Sequence, residues 1–165
     1  MKKKTLLSAF AILVVLAGVV YATDQAFNVQ VVLANAITIA KNQDLDFGTQ
    51  IQGTTADVTV DPAAGTGPNG EVAANFTVTG DNGYNYVATT QNASTTLDDG
   101  GGNTITVDTY LIDDDGTDGV AAARPYDSTF GAATTTLYVG ATCHILATDP
   151  AGTYIGSETL QVVYN

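Results

Sequence analysis

Few residues in this chain are equipped for chemistry. It holds one Cys, one His and no Trp among 165 residues, and the Cys and His are neighbours, Cys143 and His144. A thiol beside an imidazole suggests a nucleophile with its base. The run around them, however, alternates as Leu137, Val139, Ala141, Cys143 and Ile145. Neighbours on a strand point to opposite faces, so the two groups cannot share a proton locally. Cys143 is expected in the core as an inert thiol and His144 on the surface. There is no Gly-x-Ser-x-Gly elbow, and the single His sits mid-strand, so a Ser-His-Asp set lacks its frame. One Cys excludes an internal disulfide and every multi-Cys zinc site, and one His excludes paired-His metal motifs. The chain reads as non-catalytic.

The densest carboxylate cluster is Asp113-Asp114-Asp115-Gly116-Thr117-Asp118-Gly119. Calcium takes oxygen ligands from loops of this composition, and Asp113, Asp115 and Asp118 are the candidate ligands of a weak site. The helix-flanked calcium loop is not matched: Leu111 stands at its first liganding position and no Glu closes it. Like charges crowded together equally suit a solvated loop tip. No other cofactor is expected.

The charge balance narrows the partners. Asp and Glu number 17 against 5 Lys and Arg, a net charge of −12. Three of those cations, Lys2, Lys3 and Lys4, precede an almost wholly apolar run from Thr5 to Tyr21, and Val20-Tyr21-Ala22 supplies a cut after Ala22. This is the layout of a secretory signal peptide over residues 1–22, followed by one domain over 23–165. Val19 stands where a lipidated Cys would follow Leu16-Ala17-Gly18, so no lipid anchor is expected. Destinations are the periplasm, the cell surface or the extracellular space. Losing the three leading lysines takes the net charge from −12 to −15. A chain this acidic repels phosphate backbones and anionic lipid, which excludes nucleic-acid and peripheral membrane binding.

The elements that must position these residues are strands. Period-two alternation recurs at Phe27, Val29, Val31 and Leu33; at Val72, Ala74, Phe76 and Val78; at Tyr84, Tyr86 and Ala88; at Ile105, Val107 and Leu111; and at Leu160, Val162 and Tyr164. Gly- and Asp-rich turns separate the runs, as at Gly80-Asp81-Asn82-Gly83 and Asp98 to Asn103. Val120 to Arg124 is expected to form at most one helical turn. Many short strands with such turns predict an all-β antiparallel sandwich or barrel.

Several segments together resemble a known family. Ala36-Ile37-Thr38-Ile39 leading to Asp44-Leu45-Asp46-Phe47-Gly48, then Val58-Thr59-Val60-Asp61-Pro62, resemble its opening signatures. Ala74-Asn75-Phe76-Thr77-Val78-Thr79-Gly80 with Gly83-Tyr84-Asn85-Tyr86 resembles its centre. Ala151-Gly152-Thr153-Tyr154 and Leu160-Gln161-Val162-Val163-Tyr164 resemble its end. The family is a secreted bacterial one known only as domain of unknown function 4402, itself similar to fimbrial and spore-coat-protein-U-like subunits. The resemblance implies an immunoglobulin-like, pilin-like β-sandwich and a structural or adhesive surface role. Its implied partners are copies of the chain and a periplasmic chaperone and usher. In such subunits a neighbour's N-terminal extension adds a missing strand by β-augmentation. Phe27, Val29, Val31 and Leu33 would be that donor strand, and Tyr164 would lie in the chaperone-recognised C-terminal strand. Equally, these are the first and last strands of a self-complete sandwich. The alternative function is a self-contained secreted module binding calcium or a glycan.

Overall fold

A computed structural model describes residues 24–64, 66–114 and 121–165. The segment expected to be a signal peptide, residues 1–22, lies outside the described residues, as do Asp115 and Asp118. The chain divides into two compact units, Met1–Leu33 and Ala34–Asn165. In the first, residues 24–33 form no strand and their apolar side chains stand exposed: Phe27 at 83%, Val29 at 85%, Val31 at 79% and Leu33 at 87%.

The second unit is all-β, with no helix among the described residues. Its strands are β1 (Thr38–Gln43), β2 (Ala56–Val60), β3 (Ala74–Thr79), β4 (Asn85–Thr90), β5 (Thr95–Asp98), β6 (Thr104–Asp113), β7 (Ala122–Ala123), β8 (Tyr126–Thr129), β9 (Thr134–Ile145) and β10 (Leu160–Tyr164). Every pairing is antiparallel. The larger sheet runs β1-β3-β9-β6-β5, with β2 on β9 and β7 on β6. The smaller runs β10-β4-β8. Ala122–Ala123 pairs with Leu111 and Ile112, which corrects the helical turn expected over Val120 to Arg124.

Alternation builds one core from both sheets. Val78, Leu137, Val139, Ala141 and Ile112 of the larger sheet meet Tyr86, Ala88 and Val162 of the smaller. Phe130 is fully buried between them, its ring centroid 4.6 Å from that of Tyr86. The register is not regular throughout: the β1–β3 pairing shifts between Lys41 and Gln43. The β6–β9 register shifts between Asp108 and Leu111, where Thr109 takes a positive φ of 52°. This bulge turns Tyr110 and Ile112 inward and leaves Leu111 half-buried, not on the Ile105–Val107 face where strict period two puts it.

The long β9 changes partner midway. Its first half pairs with β3 up to Val139, its second with β2 from Ala141. Gly140 sits at the junction, and a Cβ there would lie 2.0 Å from the Val60 carbonyl oxygen. The DLDFG segment owes its turn to a second glycine. Gly48 has φ +66°, and a Cβ on it would lie 2.3 Å from the Asn69 carbonyl oxygen. The Asp46 carboxylate accepts the Gly48 N–H at 2.8 Å, and the Asp46 and Val72 backbones exchange two hydrogen bonds.

Candidate functional site

The three strands of the smaller sheet leave part of the larger sheet's inner face uncovered by strand. There the floor side chains Phe76, Ile105, Val107, Val139, Cys143 and Ile145 line a cleft of about 1030 Å³. Its walls are loops: residues 44–52 on one side and 149–158 on the other, with Leu160 at the start of β10. The first wall is held by Glu71. That buried carboxylate accepts the Asn69 N–H at 2.7 Å, the Asn69 amide at 3.0 Å and the Gln50 amide at 3.2 Å. Its own backbone N–H foremost, then these donors, hold it below the ordinary carboxylate range against the opposing effect of desolvation. The second wall is held by Glu158, which takes the Thr95 hydroxyl at 2.6 Å and the Asn92 N–H at 3.0 Å.

β10 borders this cleft and is paired on one side only among the described residues. The flanking bonds fix which groups are left over. Asn165 N–H donates to Asn85 and Gln91 N–H to Thr159, so the odd-numbered residues of β10 face β4. The N–H and C=O groups of Leu160, Val162 and Tyr164 therefore point away from β4 along an open edge. Their side chains point inward: Val162 is buried, and Leu160 and Tyr164 are half-buried. An edge with backbone donors and acceptors beside an apolar floor is the geometry that accepts an added strand.

Tyr164 does more than close the sheet. Its hydroxyl accepts the Asp81 N–H at 2.8 Å and donates to the Asn35 carbonyl at 2.9 Å. Asn35 in turn donates to both Asp81 carboxylate oxygens, at 2.7 and 2.6 Å. The Asn35 side chain, foremost, then its N–H, keeps Asp81 below the usual carboxylate range. This knot fixes the chain at Asn35, before it enters β1.

Of the candidate calcium ligands, Asp113 alone is among the described residues. Asp113 is buried at the end of β6, and Asp114 accepts the Ser128 hydroxyl at 2.9 Å. Among the described residues no cluster of His, Cys, Asp and Glu could hold a metal ion. Cys143 is buried, and desolvation first, then Asp149 and Asp57, push its thiol up to about 11.

Sequence alternation places His144 on the outer face but not its neighbours. Its Nδ1 lies 2.7 Å from Asp57 Oδ1 and its Nε2 2.8 Å from Asp108 Oδ1. Register brings these three together: Asp57 of β2 is directly opposite His144, and Asp108 lies diagonally across on β6, opposite Thr142. Asp57 is 87 positions from His144 in the chain and Asp108 is 36, so no local pattern signals the group.

A family model described as Domain of unknown function (DUF4402) matches residues 37–164. No curated protein and no solved structure matches the chain.

Proposed function

Since the chain belongs to the DUF4402 family, a domain of unknown function, we propose its role from the site itself: an exported, non-catalytic structural subunit of the cell surface, built as a pilin-like β-sandwich and assembled through strand addition between copies. The observation that carries this reading is the open β10 edge beside the apolar cleft, in a chain that also exposes Phe27, Val29, Val31 and Leu33 at strand spacing. A strand from a neighbour would pair with the free groups of Leu160, Val162 and Tyr164 and lay alternate apolar side chains on the cleft floor. Exposed apolar residues in a row are costly to leave in water, at roughly 1.5–3 kcal/mol per side chain that a partner would bury. A chaperone of the secretory compartment would occupy the same edge before assembly.

Truncation tests the reading. A chain lacking residues 24–34 should stay folded and fail to assemble. A peptide of that sequence should raise its melting temperature, since a ligand at about 100-fold its Kd adds about 2.7 kcal/mol of stability. Unfolding of the truncated chain would mean that the segment belongs to its own fold. A folded truncated chain that ignores the peptide would leave the cleft to a different ligand, as in a self-contained binding module.

A further inference from the structure

On the outer face His144 sits where side chains tie three strands, β2, β9 and β6, in a row. A neutral imidazole has a single N–H, so it can donate to one partner while its other nitrogen presents a lone pair. Here both nitrogens stand within hydrogen-bond distance of carboxylate oxygens, at 2.7 and 2.8 Å. Only the imidazolium can donate to both. We propose that His144 is a protonation-controlled clasp that holds the edge strand β2 to β9 and β6, closed when the ring is charged and half-released when it is neutral.

The surrounding groups leave this work to the ring. β2 contributes Asp57 and β6 contributes Asp108, whose other partner is the neutral Thr109 hydroxyl at 2.8 Å. Thr106 of β6 is directly opposite His144, and Thr142 and Tyr138 share its face on β9. Thr142 adds a hydroxyl contact to Thr59 of β2 at 2.9 Å. Asp149, in the turn after β9, binds the Leu146 N–H at 2.8 Å. The cations Lys41 and Arg124 are engaged elsewhere, with Asp44 and with the Thr90 carbonyl.

The bonds to Asp108, then to Asp57, raise His144 above 6.5, and the bond from His144 foremost lowers Asp108 below 3.8. A raised histidine contributes stability that is complete below its unfolded value near 6.5 and is lost as pH climbs through its folded value. A lowered aspartate contributes above about 3.8 and loses it as pH falls through its folded value. The clasp is thus closed in mildly acidic solution and opens on the alkaline side. β2 begins four residues after the wall formed by residues 44–52, so opening frees an edge strand that continues from that wall.

His144 is the single histidine, so its ring signals in a proton NMR titration of the full chain are unambiguous. The midpoint should lie above 6.5 and fall in both Asp57→Asn and Asp108→Asn. Hydrogen exchange at β2 amides, corrected for the intrinsic pH dependence, should quicken severalfold across that midpoint, with no such step in His144→Gln. A midpoint at or below 6.5, or one unmoved by both Asn variants, overturns the proposal. So does a β2 step of equal size in His144→Gln. Should that variant fail to fold, the midpoints of the two Asn variants decide.

Discussion

Replacing Val29 by Asp separates a residue of the fold from a residue of the assembly. Val29 is 85% exposed and lies in no strand of its own chain. Surface substitutions away from packed features change stability by within about 0.5 kcal/mol, so the isolated chain should melt as before. In a neighbour's cleft the same side chain would sit on the floor formed by Phe76, Val107 and Ile145. Losing the burial of one valine forfeits roughly 1.5–3 kcal/mol. At 1.4 kcal/mol per decade, that weakens association by about tenfold to more than a hundredfold. A carboxylate facing that floor adds a desolvation cost in the same direction. Gln30→Asp is the control, because adjacent strand residues face opposite ways and Gln30 would point to solvent. Size-exclusion chromatography with light scattering reads assembly, and calorimetry reads the fold. Assembly unchanged in Val29→Asp, or lost equally in Gln30→Asp, would refute the reasoning. A melting temperature lowered by many degrees in Val29→Asp would place the segment inside its own fold and refute it too.

Three further substitutions probe the scaffold. Cys143→Ser should cost about 1–3 kcal/mol in denaturant unfolding, since it buries a hydroxyl in an apolar face. With its thiol raised to about 11, the native Cys143 should also react slowly with alkylating reagents at neutral pH, and rapid labelling would contradict its burial. Gly140→Ala sets a methyl group against the Val60 carbonyl and Pro62, and should destabilise by about 1–3 kcal/mol or more through overpacking at the β9 partner switch. Tyr164→Phe removes the bonds to Asp81 and Asn35, each worth about 0.5–1.5 kcal/mol net, which a shift in the urea midpoint would report.

Period two made β3, β9 and β10 legible, because the apolar residues of each alternate along the sequence, although in β9 Gly140 and Thr142 of the opposite face are buried too. The same reasoning put Cys143 inward and His144 outward. β5 offers one apolar residue, Leu97, and β8 offers only Tyr126, so neither has a period to read. β7 is two alanines whose strand character comes wholly from pairing with β6. The bulge at Thr109 is invisible for another reason: nothing in Asp108-Thr109-Tyr110 demands a positive φ, and the pairing with β9 imposes it. The Asp57–His144–Asp108 group and the open β10 edge are consequences of register between distant segments. Sequence patterning names the faces of strands but not their neighbours. The Phe27–Leu33 alternation is legible as apolar spacing, but spacing alone does not distinguish a buried strand from the exposed segment that the structure shows.

The most direct test of strand addition is amide hydrogen exchange along β10 in the chain truncated before Asn35. The amides of Leu160, Val162 and Tyr164 face away from β4 and should exchange readily in the truncated chain alone. Adding a peptide of residues 24–34 should slow those three selectively, while Gln161 and Val163, already bonded to β4, change little. Protection appearing on β5 or β1 instead, or no alternation along β10, would contradict the account.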